Sequence, residues 1–419
     1  MSRIQDAACW PMASRAEAIV SSIVLTADHL LQEAAIDYWD MSSAGHVAVA
    51  EQVRACGSDE VVAALDAVLR APSDAAGVSR LDERVAEAVR EDLPGWGEIG
   101  ERALLADGLG RLAAHVGRRH DDLVPAVTAE ELLPWVKPAP APGAEHAPVC
   151  VVIPFRDRSA SRSRLRNLLA CIGALADQSL HRTSYRVIVV EADDQPRWEQ
   201  TIRPLVDDYV HLPSGGHFNK SWAVNVGIVQ LAGEAELICV LDADVFVDGE
   251  FVERNVRRFR TRGAQAHLPF RDALCLDEAS SHSAARDRLL AGKESTDLDV
   301  LRGAVLRRPP GHCVWVRRGL FLRVGGFDER FEGWGGEDLD FVFRLDVVGA
   351  VDRYDDTLIH LFHERPQTQE DGQRFYAGRR LLSWRPSTPI GQLARPATSS
   401  DDDLAGLIER VEHLPATTA

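Results

Sequence analysis

The sequence predicts an α/β protein built on a mostly parallel sheet with helices on both faces, preceded by an all-helical region. Three continuous apolar runs, residues 149–154, 185–190 and 237–241, are typical of fully buried strands. Residues 164–176 and 222–231 lie between them and have helical spacing of apolar side chains. Buried strands that alternate with helices indicate a parallel sheet covered on both faces.

Length and charge limit the classes of function. At 419 residues the chain is longer than one ordinary domain, so we expect two or three. The net charge of −17 argues against non-specific binding of nucleic acid and against an anionic membrane surface. The sequence contains no apolar run long enough to span a membrane and no signal-peptide pattern at its start. These features predict a cytoplasmic protein without a membrane span.

The cysteine and lysine usage points to a bacterial protein of the reducing cytoplasm. The seven cysteines are odd in number and show no CxxC spacing, so neither a zinc site nor a disulfide framework is indicated. Lysine accounts for only three of the 47 basic residues. Together with the many alanines, this preference for arginine is typical of a GC-rich bacterial genome.

The chain divides into four parts by composition. Residues 1–133 are predicted to form a helical accessory domain, with helix starts at Ser58 and at Thr128. Residues 134–148 are rich in proline and predict a semi-rigid linker. The strand–helix pattern occupies residues 149–365, and residues 366–419 form a C-terminal extension with a short helix.

Charged residues follow each predicted strand of the sheet. They are Arg156 and Arg158 after the first, Glu191 and Asp193 after the second, and Asp242 with Asp244 after the third. Ligands of parallel sheets bind at the carboxyl ends of the strands, so we expect the functional site there.

The triplet from Asp242 to Asp244 can serve two purposes. Alternate residues of an extended segment point opposite ways, so one carboxylate can hold a divalent cation while the other accepts a ribose hydroxyl. Short triplets of this kind are also common in solvated turns. A further metal ligand is available at His360 or His363, after a predicted strand at residues 352–359, and spacing alone does not choose between them.

The glycine-rich stretch 331–340 carries two adjacent acids. Glycines around Trp334 deliver Glu337 and Asp338 to the start of a predicted helix, where backbone N–H groups favour carboxylates. A broad ring beside an acid suggests a sugar ring and a hydroxyl to be deprotonated. Taken alone, the stretch fits a tight turn with an acidic helix start equally well.

Four motifs occur in order: residues 153–158, 218–227, 241–244 and 325–340. Together they resemble the GT-A glycosyltransferases of the β-1,4-galactosyltransferase and chondroitin-polymerase group, and more distantly the polypeptide N-acetylgalactosaminyltransferases. The resemblance covers roughly residues 149–365 and implies a GT-A fold, which is Rossmann-like. It implies a nucleotide-sugar-dependent hexosyltransferase.

The resemblance also implies roles for individual residues. Asp338 would be the general base, and Glu337 would hold the donor sugar. Asp244 would bind Mn²⁺ or Mg²⁺ together with His360 or His363. The sugar and acceptor pocket would be lined by Trp334, Gly335 and Gly336. The donor nucleotide would be bound by Pro154, Phe155, Arg156, Arg158, Glu191, Asp193, Asn219, Lys220, Asn225, Asp242 and Asp244.

We therefore expect a metal-dependent, inverting glycosyltransferase that uses a nucleotide sugar, with a UDP-sugar favoured. A retaining transferase, a nucleotidyltransferase and a non-catalytic nucleotide-sugar-binding module are the alternatives. The acceptor (a glycan, a peptide or a small natural product) and homo-oligomerisation are left open.

The stretch 248–311 lies outside the resemblance and is expected to form an acceptor face or a mobile lid. Five arginines between positions 254 and 262 fit a solvated helix face better than an anion clamp.

Overall fold

The structure is a computed structural model that describes residues 14–139, 147–262, 264–333, 335–349, 351–364, 369–370, 373–374, 386 and 389–394. The middle of the predicted linker and most of the predicted C-terminal extension, including its short helix, lie outside these residues. Among the described residues, no helix has the length and apolar character needed to cross a membrane.

The helices, in chain order, are α1 Arg15–Ala27, α2 His29–Ala34, α3 Ile36–Cys56, α4 Asp59–Arg70, α5 Ala75–Arg90, α6 Trp96–Gly110, α7 Ala129–Leu132, α8 Ser163–Ala176, α9 Glu199–Ile202, α10 Lys220–Val226, α11 Phe251–Arg262, α12 Glu278–Ala285, α13 Arg318–Arg323 and α14 Glu337–Val348. The strands are β1 Leu112–Val116, β2 Val149–Phe155, β3 Tyr185–Asp193, β4 Asp208–Pro213, β5 Leu237–Leu241, β6 Val245–Phe246, β7 Ala266–Leu268, β8 Asp272–Leu276, β9 Arg302–Arg307, β10 Cys313–Arg317, β11 Val351–Arg353, β12 Leu358–His360, β13 Gln369–Glu370 and β14 Gln373–Arg374.

Helices α1 to α6 pack together around α1, whose apolar residues Ile19, Ile23 and Leu25 are fully buried. The Ser58 side chain accepts the N–H of Val61 and so caps α4, as the sequence predicts. The N-terminal region is therefore mainly helical, in agreement with its sequence pattern.

Strand β1 corrects the prediction that the N-terminal region contains helices alone. It pairs antiparallel with β9, with Leu112 opposite Leu306 and Val116 opposite Arg302. The short Leu-Ala-Ala-His-Val run directly follows α6, so periodicity could not separate it from the helix end. Through this pairing the N-terminal helices and a sheet of the following region share one apolar core.

The central sheet has seven strands in the order β11-β7-β10-β5-β2-β3-β4. The pairs of β2 with β3, β2 with β5, β3 with β4 and β7 with β11 are parallel, and β10 runs antiparallel to both of its neighbours. The predicted strands correspond to β2, β3 and β5. The predicted α/β fold with a mostly parallel sheet is thus confirmed.

A second sheet, of five strands in the order β1-β9-β8-β12-β6, brings distant segments together. Strand β12 pairs parallel with β8 and antiparallel with β6, and its last residue His360 lies opposite Val245. Because Val245 follows Asp244 directly, this register places Asp244 beside His360.

The predicted strand at residues 352–359 is wrong, because the chain forms two strands there. Strand β11 belongs to the central sheet and β12 to the second sheet. Between them Asp356 accepts hydrogen bonds from Arg254 and Arg258 of α11. These hydrogen bonds fix the connection between the two strands, where the chain passes from one sheet to the other. Local sequence could not identify the two arginines as partners of Asp356.

Residues 248–311 contribute packed elements of both sheets, so the expectation of a lid is not met. Ala273, Leu274 and Val305 of β8 and β9 are buried in the core. Arg254 and Arg258 are engaged by Asp356, and Arg257 pairs with Glu253, which supports a structural role for these arginines.

Candidate active site

Three side chains of kinds that can bind a metal ion converge where β6 pairs with β12. The Nε2 atom of His360 lies 3.3 Å from Oδ1 of Asp244, and Nε2 of His363 lies 3.0 Å from Oδ2 of Asp244. The ligand atoms of the three residues lie within 4.8 Å of one another. The sequence did not choose between the two histidines, and the structure brings both to Asp244.

The chemistry of this cluster fits a divalent cation. Nδ1 of His363 lies 3.0 Å from the backbone carbonyl of Glu364, and a proton donated there leaves the lone pair of Nε2 available to a metal ion. Oδ1 of Asp244 is buried, and no described residue makes a hydrogen bond with it. Imidazole and carboxylate groups that face one another across 3 Å suit a divalent metal ion.

Electrostatics favours an ionised Asp244. Burial alone raises the pKa of this carboxyl, but His360 and His363 outweigh burial and hold its pKa well below the usual range. Burial lowers the pKa of His363, against the opposing effect of Asp244. An anionic carboxylate beside a neutral imidazole is the protonation state that metal binding requires.

Helix α8 holds the segment between the two histidines. Arg166 and Asn167 donate to the carbonyl of Phe362 over 2.7 and 2.9 Å. The N–H of Phe362 donates to Oγ of Ser281 over 2.7 Å. Sequence reasoning missed these orienting residues, although an Arg-Asn pair within an apolar helical stretch was a usable signal.

A second polar cluster places three carboxylates around one ammonium. Nζ of Lys220 lies 2.7 Å from Oδ1 of Asp242, 2.9 Å from Oδ2 of Asp338 and 4.0 Å from Oε1 of Glu337. None of the four side chains is more than 22% exposed. The four residues come from the end of β5 and from the starts of α10 and α14, which are far apart in sequence.

Burial and mutual repulsion set the pKa values of this cluster. Burial raises the pKa of Glu337 to about 7, with a further upward contribution from Asp338. Burial also raises the pKa of Asp338, and Lys220 opposes that rise. Burial favours the neutral amine of Lys220, yet the three carboxylates prevail and raise its pKa well above the usual range. Lys220 is therefore a permanent cation.

Glycines permit the close approach of the loops to these acids. Gly335 and Gly336 both have φ of 98°, a backbone region that side chains rarely adopt. A Cβ atom on Gly311 would lie 2.4 Å from Oδ2 of Asp338, so only glycine leaves room for the carboxylate there. Trp334, predicted to line the sugar and acceptor pocket, lies outside the described residues.

His312 is a site residue that sequence reasoning missed. Its Nδ1 atom lies 3.9 Å from Oδ2 of Asp242, and its ring packs against that of His360 at 5.0 Å between centroids. Burial lowers the pKa of His312 to about 3, so the ring is neutral. A lone histidine after two prolines and a glycine gave no pattern that distinguished it from a loop residue.

A third group lies at the ends of β2 and β3. Arg156 donates to the carbonyls of Ser214 and Gly216 over 2.7 and 2.9 Å. Arg158 donates to the fully buried Asp193 over 2.6 Å. Asp193 therefore orients arginines and is itself covered, whereas Arg158 remains 38% exposed. These residues were predicted to bind the nucleotide.

Several residues predicted to contact the donor are buried and have partners within the protein. Pro154 and Phe155 are buried within β2, and Phe155 belongs to the apolar core. Glu191 is fully buried and accepts a hydrogen bond from the hydroxyl of Tyr209. The two amide residues are also fully buried: Asn219 caps α10 and donates to the carbonyl of Glu329, and Asn225 donates to the carbonyl of Phe327. Their motif positions reflect the packing of the fold around the site.

Comparison with known families agrees with this architecture. Residues 150–325 match the family described as glycosyl transferase family 2, and residues 311–364 match the one described as N-terminal domain of galactosyltransferase. The two matched ranges contain both polar clusters. Adjoining regions of the chain thus match two glycosyltransferase family models, on a mixed α/β fold with a mostly parallel central sheet.

Two curated relatives and several solved structures are similar to parts of the chain. A validoxylamine A glucosyltransferase of Streptomyces hygroscopicus subsp. limoneus is 27% identical over 246 residues, which are 51% of this chain and 51% of the relative. The chain thus spans about half the length of that relative. A validoxylamine A glucosyltransferase of Streptomyces hygroscopicus subsp. jinggangensis (strain 5008) is 62% identical over 29 residues, 7% of each chain.

Among solved structures, S. aureus TarS 1-349 in complex with UDP-GlcNAc is 14% identical, with a TM-score of 0.38. That match covers 52% of this chain and 59% of the TarS chain. TarS 1-349 in complex with UDP is also 14% identical, with a TM-score of 0.37, over 51% of this chain and 60% of that chain.

Proposed function

We propose that this protein is a GT-A glycosyltransferase that moves a sugar from a UDP-sugar to an acceptor hydroxyl with inversion, and that Asp338 is the general base. The observation that carries the proposal is the placement of Asp338 beside Lys220 and Asp242, at the edge where the metal-ligating cluster also lies. Inversion requires one base beside the acceptor and direct displacement at the anomeric carbon.

The donor is bound along the carboxyl ends of the strands. Arg156 and Arg158, held by Asp193 and by the carbonyl of Ser214, border the nucleotide base. Asp242 accepts a hydrogen bond from a ribose hydroxyl. UDP is favoured as the nucleotide because the resemblance of the motifs points to it and because one similar structure was solved with UDP-GlcNAc.

Asp244, His360 and His363 would hold the divalent cation. When bound, the cation neutralises the charge that develops on the departing diphosphate. The protein holds the backbone around these residues: the N–H of Leu361 donates to the backbone carbonyl of Asp244 over 2.8 Å, and Arg166 of α8 donates to the carbonyl of Phe362, between the two histidines. We therefore assign both histidines as ligands.

Asp338 takes the proton of the acceptor hydroxyl as that oxygen attacks the anomeric carbon. Burial raises the pKa of Asp338 and so increases its basicity, while the Lys220 ammonium opposes that rise and favours the ionised form. Glu337, one residue earlier on α14, belongs to the same cluster and can accept a hydrogen bond from a hydroxyl of the donor sugar. Burial of the cluster strengthens each of these contacts relative to water.

Donor hydrolysis tests this proposal without knowledge of the acceptor. Purified protein is incubated with a panel of nucleotide sugars and Mn²⁺, and release of the nucleoside diphosphate is followed over hours. We expect slow release from a UDP-sugar, and retention of that activity in a matched surface variant such as Glu250→Gln. Once an acceptor is found, the anomeric configuration of the product separates inversion from retention. Absence of release from every donor, with no binding of UDP, would contradict the proposal.

A further inference from the structure

His312 occupies the centre of an unusual backbone turn. Its φ is 72°, in the region that favours glycine, and the N–H of Cys313 donates to the carbonyl of Gly311 over 3.0 Å. A hydrogen bond from residue i+2 back to residue i, around a central residue with positive φ, defines the rare and strained form of the γ-turn. Any residue with a Cβ atom is less favourable than glycine at such a position, because that atom crowds the backbone.

The surrounding structure holds this turn in place. The carbonyl of His312 accepts the N–H of Asp242 over 2.9 Å, and Cys313 begins β10 opposite Leu241. The turn thus connects directly to the strand end that carries Asp242. Strained residues that the fold maintains in this way are concentrated at functional sites.

The turn aims the His312 ring between the two polar clusters. The ring packs at 5.0 Å from that of His360, on the metal-ligating side, and its Nδ1 lies 3.9 Å from Asp242, on the Lys220 side. At 3.9 Å the Asp242 carboxylate is beyond hydrogen-bonding distance. Within the described part of the chain, neither ring nitrogen makes a hydrogen bond, although the side chain is only 16% exposed. Among the described residues, this polar ring therefore has no hydrogen-bonding partner.

We infer that His312 is a further catalytic residue, whose ring N–H donates a hydrogen bond to a diphosphate oxygen of the sugar donor. The inference rests on the proposed function, because it requires a nucleoside diphosphate leaving group. The imidazole keeps its proton throughout. Its hydrogen bond strengthens as the bond between the sugar and the diphosphate breaks and negative charge grows on the departing oxygen.

Three substitutions of His312 separate the ring from the backbone strain. His312→Gly removes the ring and relieves the positive φ, so we expect a higher Tm together with a turnover lower by roughly 100-fold, the usual loss of one preorganised donor. His312→Ala removes the ring but keeps the strain, so it should lose turnover without gaining stability. His312→Asn tolerates positive φ and retains an N–H donor, and it should recover part of the activity.

Binding of UDP and of uridine in the presence of Mn²⁺ provides a readout other than activity. The inference predicts that His312→Gly weakens UDP binding by roughly 10-fold, as expected for one lost charge-assisted hydrogen bond, and leaves uridine binding unchanged. Arg308→Gly is the matched control, since Arg308 is exposed, lies in the same connection and has φ of 53°. It should raise Tm without changing turnover or UDP affinity.

Two results overturn the inference, and they are distinguishable. If His312→Gly matches the wild-type turnover and UDP affinity, His312 has no role in catalysis while the proposed function stands. If the wild-type protein binds neither UDP nor any UDP-sugar with Mn²⁺ present, the proposed function fails and this inference fails with it.

Discussion

Nζ of Lys220 lies 2.9 Å from Oδ2 of Asp338, so the proposed general base is paired with a buried cation. Removal of that cation by Lys220→Met should raise the pKa of Asp338, since Lys220 opposes the upward effect of burial. The acidic limb of the pH–rate profile should then move to higher pH, because a base of higher pKa stays protonated longer as pH rises. Profiles of kcat for wild type, Lys220→Met and the charge-preserving Lys220→Arg test this expectation. An unshifted acidic limb in Lys220→Met would contradict the pairing.

Glu337 should make the free energy of unfolding depend on pH. Its folded pKa is about 7 and its reference value is 4.5, so its stabilising contribution is complete below pH 4.5 and is lost as pH rises through 7. Wild type should lose at most roughly 3 kcal/mol over this interval relative to Glu337→Gln. Urea unfolding of both proteins at pH 4.5 and 8 measures the difference. Parallel pH dependences would mean that Glu337 titrates normally in the folded protein.

Asp244→Asn should abolish the effect of metal on UDP binding, because the amide cannot supply the anionic ligand. His360→Ala and His363→Ala should each increase the Mn²⁺ concentration needed for half-maximal UDP binding. Isothermal titration of UDP with and without Mn²⁺ tests all three. The same metal dependence in Asp244→Asn and wild type would remove this cluster from the donor site, and a normal requirement in one histidine variant would remove that histidine alone.

Residues 1–133 are proposed as an accessory domain, but buried ion pairs join them to the region that follows. Arg302 of β9 pairs with both Asp28 and Asp277, and the exposed fractions of Arg302 and Asp28 are 3% and 2%. Asp28→Asn should therefore destabilise the whole protein by about 1–3 kcal/mol, since Arg302 keeps one partner. Urea unfolding measures this. Asp66→Asn, which breaks the exposed pair with Arg54, is the control and should leave the midpoint nearly unchanged.

A fragment that starts near Ala147 should be less stable than the full chain for the same reason. It would lose the β1 partner of β9 and expose Leu306 and Ala304, which pack against the N-terminal helices. A fragment with full-length stability would support two independent domains.

The sequence predicted the parts of this fold that local pattern controls. The apolar runs of β2, β3 and β5 needed no partner information. Short motifs made Asp244, Glu337 and Asp338 site candidates, and their roles remain predictions. Pairings between distant segments could not be predicted: β1 with β9, or Asp356 with Arg254, depend on contacts across 100 residues or more.

The same limit applies to the site. Burial decides whether Asn219 or Asn225 contacts a ligand or the backbone, and a motif alone does not report burial. His312 was missed because positive φ is a property of the folded turn.

Asp338→Asn provides the most direct test of the account. The substitution keeps the size of the side chain but removes its ability to accept the acceptor proton. Turnover with the true acceptor should fall by roughly 10²–10⁴-fold, while affinity for the UDP-sugar changes far less, the pattern of an interaction made mainly in the transition state. Both quantities are measured in parallel on Glu337→Gln, which should weaken recognition of the sugar and leave UDP binding largely intact. Near-normal turnover in Asp338→Asn would contradict the proposed mechanism.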